Sequence, residues 1–95
     1  MQPFGPIEVF YKIIADDARI NTRHISLYMA LLHQWSLNRG KNPIIISRVS
    51  IMKTAKISAR HTYNKCMNEL REYGYIKYVP SSNSLSGSIV HLISL

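Results

Sequence analysis

Residues 44–79 read IIISRVSIMKTAKISARHTYNKCMNELREYGYIKYV. Pro43 leads into three β-branched residues, Ile44, Ile45 and Ile46, which suit a short strand paired in a small sheet. Ser47 follows as a helix cap, and a short helix is expected over 48–54, with Val49, Met52 and Ile51 facing inward. Ala55, Lys56 and Ile57 make a turn anchored by Ile57. Ser58 is placed to cap a longer helix over 59–73. Its apolar stripe is Ala59, Tyr63, Cys66, Met67, Leu70 and Tyr73. Gly74 ends that helix, and 75–79 is a strand.

Before this stretch, a first helix is expected over 6–18. Pro6 suits the first turn, where its missing N–H is no loss, and Glu8 sits at the positive end of the dipole. Ile7, Phe10, Tyr11, Ile14, Ala15 and Ala18 form one apolar face. Asn21 or Thr22 can cap a second helix over 23–38. Its main stripe is Ile25, Tyr28, Met29, Leu32 and Trp35, with Leu27 and Leu31 beside it, so it is covered on two sides. Gly40 is its expected left-handed stop. After the decisive stretch, 80–87 is a serine-rich loop, and 88–94 is a strand returning beside 75–79. At 95 residues this is one domain over 1–95. Residues 1–20 are a helical extension, and 44–93 carry the short strand, the two later helices with the turn between them, and the hairpin.

Helix, helix, short strand, helix, turn, helix, hairpin is the order of a winged helix-turn-helix. The local signals agree with it. Ile46-Ser47 before a short helix, Lys56-Ile57-Ser58 at the turn, Leu70 late in the following helix and Tyr73-Gly74-Tyr75-Ile76 entering a strand resemble the core of many bacterial winged-helix regulators. The resemblance covers 44–93. Beyond that core, the chain is similar to small winged-helix proteins encoded on bacterial mobile elements. The fold class implied is α+β, mainly α with a small β-hairpin. A three-helix core carries an extra N-terminal helix and a short three-stranded sheet. In such a fold the second helix of the helix-turn-helix lies in the major groove, and the first crosses the backbone.

Charge points the same way. The net charge is +7, and no acidic residue occurs between Asp17 and Glu69, while nine basic ones do. A polyanion is the natural partner, with nucleic acid the commonest. If the 59–73 stripe faces the core, the opposite face is Arg60, His61, Asn64, Lys65 and Asn68, joined by i, i+4 spacing. Arg suits guanine and Asn suits adenine. Arg60, His61 and Asn64, nearest the helix start, are therefore the expected base contacts. Lys65 and Asn68 are assigned to the DNA backbone. So are Arg48, Lys53, Lys56 and Lys77, and Ser47 and Ser58 at helix starts. The loop at 80–87 carries no charge, so it gains little from counterion release.

Three readings remain open on the residues alone. The first is a sequence-specific double-stranded DNA-binding protein, most simply a bacterial transcriptional regulator. The second is an accessory DNA-binding factor in replication, excision or transfer of a mobile element. The third is a winged-helix protein–protein interaction module. A homodimer is open in each. The sequence offers no glycine-rich phosphate loop and no nucleophile–base set, so no enzymatic activity or cofactor is expected. His24, His33, His61 and His91 show no metal-ligand spacing, and no zinc site is expected. Cys66 reads as a small core residue. Asp16 and Asp17 read as solvated or helix-capping. Most aromatic residues fall on core stripes, and Tyr75 and Tyr78 are the two with a claim to stacking. No apolar run reaches a membrane span and the N-terminus lacks a signal-peptide pattern, so a cytoplasmic location and no small-molecule ligand are expected.

Overall fold

The computed structural model describes residues 5–81 and 87–93. Among them the chain forms α1 (Pro6–Ile14), α2 (Thr22–Leu37), β1 (Ile44–Ile46), α3 (Arg48–Ala55), α4 (Arg60–Glu72), β2 (Ile76–Val79) and β3 (Ser88–Leu92). The fold is α+β, with four helices and one three-stranded antiparallel sheet of order β1-β3-β2. The pairs Ile45–Ile89 and Ile89–Val79 fix the register across all three strands. The Asn42 side chain extends β3 past the end of β1. It accepts from the Leu92 N–H at 3.0 Å and donates to the Leu92 carbonyl at 2.9 Å. The centre of the expected loop, residues 82–86, lies outside the described residues, as do 94 and 95.

Local chemistry explains the helix ends. Asn21 caps α2, accepting from the N–H groups of Arg23 and His24 at 2.9 and 3.2 Å. The His24 ring reaches back to accept the Asn21 N–H at 3.0 Å, a capping box with histidine in the usual Glu/Gln position. Ser47 caps α3. All the C-termini from α2 to α4 end in Schellman turns. At α4 the Tyr75 N–H bonds the Leu70 carbonyl at 3.0 Å, and Gly74 takes the left-handed position at φ 86°. At α3 that position belongs to Lys56, at φ 62°, and the Ile57 N–H bonds the Met52 carbonyl at 3.0 Å. At α2 it belongs to Arg39, at φ 59°, one residue before the expected stop at Gly40. Gly87 has a different constraint. Its φ is 71°, and a Cβ there would lie 2.8 Å from the Ile45 side chain. No other residue fits where the hairpin returns against β1.

The core lies where α2 meets α3, α4 and the sheet. Leu27 and Leu31 of α2 are fully buried, with Ile51 and Ala55 of α3 and Tyr63, Met67 and Leu70 of α4. Ile44, Ile46, Ile76, Val90 and Leu92 close it from the sheet side. The stripe expected to be secondary on α2 is thus its most deeply buried one, because three elements converge on that face. Tyr28, on the other side, stacks on Phe10 of α1 with ring centroids 4.0 Å apart.

Several expectations are corrected. α1 stops at Ile14, and only Phe10 of its apolar face is fully buried; Ile7 and Tyr11 stay exposed. The helix meets the core through Phe10 against Tyr28 and Tyr75, with half-buried Ile14 packed beside it, rather than along a full face. Ser58 does not cap α4: Ala59 occupies the cap position, and no side chain bonds the first-turn amides. Ala59 is exposed, not part of the core stripe. Val49 points outward and is 68% exposed, while Ile51 takes the buried place on α3. Tyr75 is buried and donates to Asp17 at 2.7 Å, so it cannot serve as a stacking platform.

Candidate functional site

The turn 56–59 brings the start of α4 beside the start of α3, and the β2–β3 hairpin stands along α4. Two clefts result. The inner one runs between the α3 N-terminus, α4 and the base of the hairpin. It is lined by Ser47 and Arg48, by Arg60, Asn64 and Asn68, and by Tyr78, Ser81 and Ser88. The outer one lies across the turn and is lined by Arg48, Lys53, Lys56, Ser58 and Arg60, with Val49, Met52 and Ile57 as its apolar surface. Arg48, Val49 and Arg60 belong to both, so they form the ridge between them.

No carboxylate among the described residues lines either cleft. Among the described residues, no ion pair involves Arg48, Lys53, Lys56, Arg60 or Lys65. The first turn of α4 carries neither a capping side chain nor an acidic residue, so its amides present partial positive charge to the same surface. Tyr63 forms the floor of the inner cleft. Burial, with Tyr78 nearby, pushes its phenol above the usual tyrosine range, so it meets a ligand as a neutral hydroxyl. The site is therefore a positive, amide- and hydroxyl-bearing surface. It can bind anions; its Arg side chains can donate paired hydrogen bonds to planar polar edges, and its Asn side chains can donate one and accept one.

Most of the residues expected from the sequence come together here. Arg60 and Asn64 are exposed and Asn68 half-buried along the inner cleft. Ser47 and Arg48 face them from α3, and Lys53, Lys56 and Ser58 line the outer cleft. His61 and Lys65 are exposed on α4 but line neither cleft. Lys77 is separated from the rest. It pairs with His91 across the strands and alternates with Tyr78, which lines the inner cleft, so it lies on the opposite face of the sheet. Val49 is expected from the sequence to face inward, and Ser81 and Ser88 read there only as members of an uncharged serine-rich loop able to bond phosphates. Sequence reasoning missed Thr22, Arg23 and Thr62 as site residues; they join Lys56 and Ser58 in a third groove beside α2. The run of serines after Pro80 was the one available signal for Ser81 and Ser88.

A second polar cluster lies behind α4. His24 is 1% exposed. Its Nδ1 accepts the Asn21 N–H, so the neutral ring carries its proton on Nε2 and donates to Glu69 Oε1 at 2.9 Å. Donor atoms of His24, Cys66 and Glu69 all lie within 4.8 Å of one another, a grouping that the sequence spacing does not reveal. A cation at Nε2 would displace that proton and move it to Nδ1, where it would face the Asn21 N–H. The geometry fits a hydrogen-bonded relay between two helices better than a metal centre. Burial pushes the Cys66 thiol up, which disfavours its thiolate.

Nearer α1, Asp17 accepts two bonds from the Arg19 guanidinium, at 2.8 and 2.9 Å, and one from Tyr75. The Arg19 bonds, then that of Tyr75, hold its carboxyl far below the usual carboxylate range. Burial, then the bond to Asp17, pushes the Tyr75 phenol up to about 12. Arg19 thus belongs to the structural wall and not to the cationic surface. No helix among the described residues is long and apolar enough to cross a membrane. In comparisons with known proteins, no family model, curated protein or solved structure matches this chain.

Proposed function

We propose that this protein is a winged-helix, sequence-specific double-stranded DNA-binding protein, used most simply as a bacterial transcriptional regulator. The observation that carries the reading is the unpaired cationic ridge of Arg48 and Arg60 between two clefts that no carboxylate lines. In this reading α3, the turn and α4 are the helix-turn-helix, and β2–β3 is the wing. The exposed face of α4 enters the major groove, with Arg60 and Asn64 on base edges and His61 beside them. One DNA strand follows the inner cleft, its phosphates held by Arg48, Ser47, Ser81 and Ser88 and by the uncapped amides of α4. Lys53, Lys56 and Ser58 hold the backbone on the outer side, and Lys65 extends that contact along α4. Lys77 takes no part in this arrangement.

The test is selection from random duplexes, followed by anisotropy titrations at three salt concentrations. Neutralising about five phosphates predicts a slope of about −4 to −5 in log K against log salt. Arg60→Ala should cost about 1–3 kcal/mol on the selected site and relax preference at one or two base pairs. An equal loss on every sequence would remove the base-reading role of Arg60. No binding at low salt by folded protein would remove the DNA reading altogether. The selected site also reports assembly: a single half-site for a monomer, or two about one helical turn apart for a dimer. An accessory role on a mobile element would use the same interface and would show itself as marked bending of the bound duplex.

A further inference from the structure

Val49 is an apolar residue standing in a cationic site. It is 68% exposed at the second position of α3, and it lies on the ridge between Arg48 and Arg60. Exposure alone would mean little, because single exposed apolar side chains are normal on any protein surface. Position distinguishes this one. Ile45, Val79 and Ile89 form a row across the outer face of the sheet, and Ile7, Tyr11 and Ile13 belong to α1. None of them lines either cleft, and neither does exposed Leu37. Among the described residues, Val49 is the one exposed large apolar side chain that lies between Arg48, Lys53 and Arg60, with Met52 and Ile57 beside it.

That placement selects its partner. The surrounding cations draw a polyanion onto this face, so Val49 is desolvated by nucleic acid when the site is filled. Phosphates and the polar base edges offer an isopropyl group nothing. The apolar projection in the major groove is the C5 methyl of thymine. Resting on the DNA reading above, we propose that Val49 reads a thymine C5 methyl. It would set a sequence preference from α3, the helix otherwise assigned to the backbone. Arg48 and Arg60 on either side hold the duplex close enough for that contact.

The test uses the full chain and its selected duplex. Each thymine is replaced singly by deoxyuridine, which removes only the methyl group. At one position this should weaken wild-type binding about fourfold, the equivalent of roughly 0.8 kcal/mol for one buried methyl-sized group. Val49→Ala should weaken binding to the thymine duplex by a similar factor and be indifferent to deoxyuridine at that position. Because Val49 is outside the core, the thermal midpoint of the variant should match wild type within about 2 °C. Three results overturn the proposal: no thymine position sensitive to deoxyuridine, a sensitivity that persists undiminished in Val49→Ala, or a Val49→Ala loss equal on all duplexes. A Val49-dependent gain confined to a cytosine replaced by 5-methylcytosine also overturns the thymine assignment. Wild-type protein that binds no duplex at all is a different failure, because it removes the DNA reading itself.

Discussion

Arg19 and Arg60 are both exposed arginines, and their surroundings are opposite in character. Arg19 clasps the Asp17 carboxylate with two bonds, and its guanidinium lies 4.2 Å over the Tyr73 ring. Its charge is neutralised on the spot, and the pair ties the segment after α1 to the end of α4. Arg60 stands with Arg48, Lys53 and Lys56 around clefts without a carboxylate. Neighbouring like charges repel, so that face lowers stability unless opposite charge is brought to it. A count of basic residues merges these two kinds. Distance to the nearest carboxylate separates them, and it divides the molecule into a structural wall and the proposed binding face.

Reversing the binding face should give the largest effect. Arg48→Glu/Arg60→Glu should weaken duplex binding on the order of 10³-fold near physiological salt. Arg19→Ala should change that affinity by less than about twofold, since its charge is already paired, and should lower the unfolding midpoint instead. Comparable losses of affinity in the two titrations would erase the distinction between wall and face.

On the wall side, His24→Ala removes the ring that both caps α2 and donates to Glu69. Chemical unfolding should show a loss of about 3 kcal/mol, from the lost buried bonds and the space left behind. The salt slope of DNA binding should not move. A loss below about 1 kcal/mol would show that the relay contributes little.

Lys56 combines a strained backbone with a side chain on the cationic face, which makes it a sharp probe of the division. Its backbone is left-handed at φ 62°, and its side chain lines the outer cleft. Lys56→Gly should raise stability by about 0.5–1 kcal/mol by relieving that conformation, and make the salt slope shallower by about 0.9. A variant less stable than wild type would mean that the lysine stem packs usefully on the turn.

Asp17→Asn should produce the smallest effect, visible in its dependence on pH. The native carboxyl titrates below its ordinary value of 3.8. Its contribution is therefore fully present above that value and is lost as pH falls toward the depressed one. The gap in unfolding midpoint between wild type and Asp17→Asn should be constant from neutral pH to about pH 4 and narrow below it. A gap that holds constant to about pH 2 would separate the stability of this wall from the charge on Asp17.

Much of this was legible in the sequence because its causes are local. Asn21 and Ser47 stand before helices, Gly74 after one, and the triple isoleucine reads as a strand wherever it is placed. The cluster of Arg60, Asn64 and Asn68 follows from helical spacing, once Tyr63, Met67 and Leu70 are recognised as core. The eight-residue α3 was harder. Val49, Ile51 and Met52 lie so close in sequence that periodicity cannot say which of them faces inward. The positions of α2 and α4 decide that, and they bury Ile51 and turn Val49 out. The same holds for contacts across the fold. His24 meets Glu69 and Tyr75 meets Asp17 only because α2, α4 and the end of α1 converge, and Lys77 leaves the site because of the register of β2 on β3. Sequence by itself determined the order of the elements, the caps at Asn21 and Ser47, the stop at Gly74 and the sign of the surface, all set by interactions within a few residues. Tertiary structure alone decided which charges are paired and which apolar side chain is left exposed among them, because those depend on what packs against each element.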